Sequence, residues 1–177
     1  AVMDDLEHPR AEGLLYLAED IARELARKGC AVERRLERPA SVPEASRSLD
    51  GFDAAVVIGG DGTLHGWLPH LLASGVPVWH APLGTENLFA RAHGMSGDPA
   101  ITARSVQRAR TSRRDLGLVN GTPFAIMASF GPDASIVTSV NRNRRRGITH
   151  LSYAVPTGRA LLKSRVARGR LRIDGHD

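Results

Sequence analysis

Ala54-Ala55-Val56-Val57-Ile58 is an unbroken apolar run of strand length that ends on Gly59-Gly60-Asp61-Gly62-Thr63, ahead of Leu64, Leu68, Leu71 and Leu72. A strand that is apolar at every position is one buried on both faces. The leucines recur at helical spacing and stop at Gly75, so the glycine pentad is predicted to be a tight turn from a strand into a helix. Strand-to-helix junctions repeat along the chain. Leu14, Leu17, Ala18, Ile21 and Leu25 follow Pro9 at i, i+3, i+4, i+7 spacing, and Gly29 ends that run. Ala31 to Leu36 reads as a short strand, and Ser41-Val42-Pro43-Glu44 has the spacing of a capping box for a helix to about Leu49. Val76 to Trp79 reads as a further strand, with Pro77 near its start. Strands alternating with helices in this way predict an α/β domain, a parallel sheet with helices on both faces.

The rhythm changes after about Ala109. Arg113–Val119 and Pro123–Ser129 flank Asn120-Gly121, the favoured two-residue hairpin turn. A helix near Leu151–Leu162, a strand near Val166–Ile173 and a turn at Asp174-Gly175 follow, and the arginines at 142, 144, 145 and 146 read as a solvated loop. The expected organisation is an α/β domain over 1–110 and the start of a β-rich second domain over 111–177, truncated at Asp177. The first residue is Ala1 rather than Met, so the N-terminus is also expected to be trimmed.

Composition limits the function classes. At 42% apolar and 24% charged residues, the 177-residue chain can build a core and is not a disordered one. It has neither an apolar run of bilayer length nor a basic, apolar leader, and Cys30 is its single cysteine, expected to be a small, buried apolar residue. These features fit a reducing, cytoplasmic setting. Charge is divided unevenly: residues 1–103 hold nine Lys/Arg against fifteen Asp/Glu, and residues 104–177 hold fifteen against four. A basic half implies an anionic partner. Nucleic acid is disfavoured, since only Phe124, Phe130 and Tyr153 interleave with the arginines and no recognition motif is present. An anionic membrane surface, met peripherally, is the better candidate.

Glycines between a buried strand and a helix let the backbone approach a ligand, and the helix N-terminus offers N–H groups to an anion. The loop has neither the Lys-Ser/Thr of a P-loop nor the GxGxxG of a dinucleotide fold. Pro82-Leu83-Gly84-Thr85-Glu86-Asn87 is a second loop between a strand and a helix, Leu88-Phe89-Ala90-Arg91. Open α/β sheets bind ligands at the carboxyl ends of their strands, so both loops are expected to flank one crevice. His70, His80, His93, His150 and His176 lack metal-ligand spacing and are expected in surface or core roles.

These residues resemble the superfamily of diacylglycerol kinases, related lipid kinases and NAD kinases. The Gly59–Thr63 pentad matches its nucleotide loop, and Pro82-Leu83-Gly84-Thr85-x-Asn87-x-Phe89-Ala90-Arg91 is similar to the lipid-kinase pattern PLGTxNDFAR. Asp115-Leu116-Gly117, Val119-Asn120-Gly121 and Ala128–Ala134 resemble that family's entry into its second domain, and Leu151–Ala154 and Asp174-Gly175 continue the likeness. The resemblance implies a kinase that transfers the γ-phosphoryl group of ATP, with Mg²⁺, to the hydroxyl of a lipid such as diacylglycerol or of another small molecule. It implies a cofactor site made of Gly59, Gly60, Asp61, Gly62, Thr63, Gly84, Thr85, Glu86 and Asn87. Asp61 would be the metal ligand or the catalytic base, and Thr63 would cap the helix. His65-Gly66-Trp67 and Glu86-Asn87-Leu88 depart from the lipid-kinase pattern. Glu86 reads either as a substitute acid or as a helix cap, and His65 and Trp67 either as crevice lining or as packing. NAD kinase, and a nucleotide-binding protein that has lost catalysis, are therefore the alternatives, and a homo-oligomer stays open. The family's late catalytic carboxylate would lie beyond Asp177, so residues 1–177 alone are expected to hold nucleotide weakly and to transfer no phosphate.

Overall fold

The computed structural model describes residues 2–3, 11–35 and 49–129, with the single positions 134, 172 and 174. The expected helix over 41–49, the arginine loop at 142–146, the helix over 151–162 and the strand over 166–173 fall outside them, save Leu49 and Arg172 at their margins. The chain divides into two compact units, Ala1–Met127 and Ala128–Asp177.

The first unit is α/β. Strands β1 (Val2–Met3), β2 (Arg34–Arg35), β3 (Ala55–Gly59) and β4 (Val78–Pro82) form one parallel sheet in the order β2-β1-β3-β4. Helix α1 (Ala11–Arg27) connects β1 to β2, and α2 (Asp61–Ser74) connects β3 to β4. Two further helices, α3 (Leu88–Ala92) and α4 (Pro99–Arg108), precede the antiparallel hairpin of β5 (Gly117–Val119) and β6 (Thr122–Phe124).

The all-apolar β3 sits between β1 and β4, and its side chains alternate between two cores. Val56 and Ile58 face α1 and α4, joining Leu14, Ala18, Ile21, Leu25, Ala81 and Ala103. Ala55 and Val57 face α2 and α3, joining Leu64, Trp67, Leu71 and Phe89. Helices thus cover both faces of the sheet, which is why β3 needs no polar alternation. Cys30 packs at the edge of the first core, half-buried. Because α1 and α2 leave neighbouring strands β1 and β3 for opposite faces, the chain has its topological switch point there, and the carboxyl end of β3 borders the opening that results.

Several boundaries differ from the sequence reading. Among the described residues β2 takes in only Arg34–Arg35, and β4 runs Val78–Pro82 rather than Val76–Trp79, because its pairing with β3 continues to Gly59↔Pro82. α2 begins at Asp61, three residues ahead of the first buried leucine, and carries Pro69 in its interior. That proline withholds the N–H that would reach the carbonyl of His65 and so weakens the helix there. The hairpin turns through Asn120 and Gly121 with φ of 50° and 78°, as a two-residue primed turn requires. β6 lies against α2, and Ala125 joins the core beneath Trp67 and Leu71.

Candidate functional site

β3 delivers its last residue, Gly59, into the turn with φ of +150°, a backbone conformation that only glycine holds without strain. The Cβ of any other residue there would also lie 2.6 Å from Thr63 Oγ1. Gly60 is the N-cap of α2 and makes no side-chain cap bond. Its carbonyl accepts the N–H groups of Thr63 and Leu64 at 3.0 and 3.2 Å. The first two donors of the helix, at Asp61 and Gly62, have no partner among the described residues. Two unpaired N–H groups at the positive end of a 14-residue helix favour an anion.

The second loop meets the first backbone to backbone. A Cβ on Gly84 would stand 2.6 Å from the Gly60 Cα, and a Cβ on Gly60 would stand 3.2 Å from the Gly84 Cα. The contact between the loops therefore requires a glycine at 84 and is tight at 60. Asn87 closes its own loop: its Oδ1 accepts the Gly84 N–H at 2.8 Å, and its Nδ2 donates to the Gly84 carbonyl at 2.9 Å, from a residue with φ of 51°. Asp61 then fastens the two loops together. One carboxylate oxygen accepts the Leu88 N–H at 2.8 Å and the other accepts the Phe89 N–H at 3.1 Å, so a residue of α2 caps the start of α3.

The structure brings Gly59, Gly60, Asp61, Gly62, Gly84 and Asn87 together at the carboxyl ends of β3 and β4. Thr63 is buried against Gly59 and its side chain does not cap α2, which corrects the expected capping role; Gly60 holds that position. Thr85 and Glu86 are exposed on the second loop, and Glu86 Oε2 lies 3.8 Å from the Arg91 guanidinium. Glu86 is not what caps α3, since Asp61 takes the Leu88 and Phe89 donors. Trp67 is fully buried in the core, while His65 is exposed. Leu88 is exposed, so the position that departs from the lipid-kinase aspartate contributes its backbone N–H, to Asp61.

His80 is the participant that sequence reasoning missed. It is fully buried on β4, on the face shared with Phe89, and its Nε2 lies 3.0 Å from the Gly59 carbonyl oxygen. A carbonyl can only accept, so Nε2 carries the proton. The available signal was a single imidazole in an otherwise apolar strand, where a buried polar group needs a partner. Burial holds the His80 pKa below the ordinary histidine value of 6.5, against the opposing influences of the Gly59 hydrogen bond and the Asp61 charge. The unfolded chain takes up this proton near pH 6.5 and the native ring resists it, so stability is full above that pH and falls below it. Urea midpoints compared at pH 8 and pH 5 should fall more for the parent protein than for His80→Gln, and equal falls would contradict the assignment.

Among the described residues no three His, Cys, Asp or Glu side chains gather as for a protein-made metal cage. Magnesium asks for less, since it is commonly held by one or two carboxylates together with substrate phosphates and water. Asp61 uses one bond on each carboxylate oxygen, and each oxygen has further lone-pair capacity. A single half-exposed carboxylate next to unpaired helix N–H groups fits that requirement.

Comparison with known proteins identifies the family that carries these two loops. The diacylglycerol kinase catalytic domain family matches residues 12–119, which include both loops. A probable lipid kinase, YegS-like, of Pseudomonas aeruginosa strain UCBPP-PA14 is 33% identical over 124 residues, covering 68% of this chain and 40% of that protein. A diacylglycerol kinase of Mycobacterium tuberculosis is 33% identical over 106 residues, 56% of this chain and 34% of that protein. An uncharacterized Synechocystis protein is 28% identical over 114 residues, 63% of this chain and 26% of that protein. The matches thus span between about a quarter and two fifths of these relatives' lengths. With its family match covering more than half of the residues and both glycine loops, the chain belongs to the diacylglycerol kinase catalytic domain family.

Proposed function

We propose that the protein transfers the γ-phosphoryl group of ATP to the hydroxyl of a lipid such as diacylglycerol. The observation that carries this reading is the pair of unpaired N–H groups at Asp61 and Gly62, held beside a second glycine loop by the Asp61 carboxylate. Phosphoryl transfer rests on positioning and charge neutralisation more than on covalent chemistry. In this reading residues 1–110 hold nucleotide and residues 111–177 begin the acceptor domain. The N–H groups of Asp61 and Gly62 bind phosphate oxygens, Gly59, Gly60 and Gly84 allow close backbone approach, and Thr63 fills the space behind Gly59. Thr85, Glu86 and Asn87 line the second side. Asp61 would hold Mg²⁺, which supplies neutralisation of the phosphate charge when bound. The relatives named as lipid kinases support a lipid acceptor over NAD. Radiolabelled ATP offered with diacylglycerol in mixed micelles, and separately with NAD, tests the reading on the full-length protein. Label is expected in the lipid; label in NAD alone, or in neither, would contradict it.

No helix among the described residues is long and apolar enough to cross a membrane. In this reading the lipid is met peripherally, at a cytoplasmic membrane surface. Arg104, Arg108, Arg110, Arg113 and Arg114 are exposed, and none has an ion-pair partner among the described residues. By contrast, Arg23 and Arg27 on α1 are paired with Glu19, Asp20 and Glu24. Each unpaired arginine near an anionic leaflet adds about 1 kcal/mol of attraction. Sedimentation with vesicles should show binding that rises with anionic lipid content and weakens with salt; equal binding to neutral vesicles would contradict the electrostatic account.

A further inference from the structure

We propose that His80 is a positioning residue for the phosphate-holding loop, its Nε2–H fixing the Gly59–Gly60 peptide on which the contact between the two loops is built; the inference rests on the nucleotide reading of the crevice. The Gly59 carbonyl oxygen accepts twice, from the Leu83 N–H at 2.8 Å and from His80 Nε2 at 3.0 Å. The first bond continues the β3–β4 ladder and the second comes from a side chain of β4, so both acceptor positions of one oxygen are occupied. The Gly59 carbonyl and the Gly60 N–H share one rigid peptide plane. Fixing the oxygen therefore fixes the entry to Gly60, whose Cα is the point touched by Gly84.

The residue is itself held. The His80 backbone N–H lies 3.2 Å from the Met95 sulfur, and the imidazole packs against Phe89 with ring centroids 6.1 Å apart. The N–H of Phe89 in turn bonds to Asp61. His80, Gly59, Asp61 and Phe89 thus belong to one circuit that passes under the glycine loop and back through α3. Stability alone does not call for an imidazole here. Its Nδ1 is buried without a partner among the described residues, a cost that an apolar side chain of similar size avoids. The surrounding side chains of this core, Val57, Leu64, Trp67 and Phe89, are hydrophobic. What the histidine adds is one donor aimed at one carbonyl.

The test compares His80→Leu, which removes the donor, with His80→Gln, which offers an amide donor in its place. In the full-length protein His80→Leu should raise the KM for ATP about 10- to 100-fold, a loss of the size seen when the outer hydrogen-bond partner that orients a metal ligand is removed. Its thermal midpoint should stay within a few degrees of the parent's, and His80→Gln should restore KM to within about threefold. Equal KM values for the two variants, or a KM change that only follows lost stability, would overturn the proposal. Amide hydrogen exchange reads the loop without any substrate. His80→Leu should speed exchange at Leu83, Leu88 and Phe89 at least about tenfold while the α1 amides keep the parent's rate; unchanged exchange at the loop, or a uniform rise, would overturn it. A parent protein that binds no ATP would refute the nucleotide reading, while the exchange pattern would still decide whether His80 sets the loop.

Discussion

Gly84→Ala should remove most nucleotide affinity and about 100-fold of kcat/KM for ATP, while leaving the fold of the α/β unit in place. The new methyl would stand 2.6 Å from the Gly60 Cα and 2.7 Å from Asn87 Oδ1. The first neighbour is backbone and the second is a side chain already committed to two hydrogen bonds with Gly84. Neither can move without opening the contact between the loops. Inserting atoms into a closed contact costs about 1–3 kcal/mol, and a displacement of about 1 Å at a substrate-holding group can cost about 10²-fold in rate. Gly60→Ala meets the same contact at 3.2 Å, where a shift of a few tenths of an ångström suffices, so its effect should be smaller. Steady-state kinetics with urea denaturation checks both variants. Equal effects for the two, or normal kinetics in Gly84→Ala, would contradict the loop contact as the origin of the site.

The second large effect belongs to Asp61, which fastens the two loops and, in the proposed function, also serves the transfer itself. As a fastener it accepts the Leu88 and Phe89 N–H groups, and Asp61→Ala leaves both without their acceptor. Losing a helix cap costs about 0.5–2 kcal/mol. As a ligand or base in phosphoryl transfer, its removal should cost a further factor of about 10² to 10⁴ in turnover. Asp61→Asn separates the roles. The amide oxygen can still accept one of the two N–H groups, so part of the stability should return, while turnover should remain as low as in Asp61→Ala. Turnover that recovers in step with stability would make Asp61 a fastener only, and the catalytic reading would fail.

The sequence carried the strands and the loops more clearly than the bonds between them. Val56, Val57 and Ile58 announce a strand buried on both faces because burial acts on every side chain of such a strand, and glycines mark where backbone must turn or touch. Leu64, Leu68 and Leu71 mark the buried side of α2 while Leu72 is exposed, so the helix start at Asp61, three residues ahead of Leu64, had no apolar signal. The partners of Asp61 were hidden for a different reason: they are backbone N–H groups 27 and 28 residues away, which no side-chain pattern reports. Thr63 invited a capping role from its place after the glycines, yet its third position in α2 turns it inward against Gly59. His80 was visible as a residue but its use was not, since its partner is a carbonyl made accessible by the conformation of Gly59.

The central claim is that two glycine loops, fastened by Asp61, form one phosphate-holding crevice. Calorimetric titration of the full-length protein with ATP and magnesium, beside the same titration of Gly84→Ala, tests it most directly. The account predicts saturable one-site binding in the parent protein and at least about tenfold weaker binding in the variant, with both proteins folded. Equal affinity in the two proteins, or no binding to the parent, would contradict it.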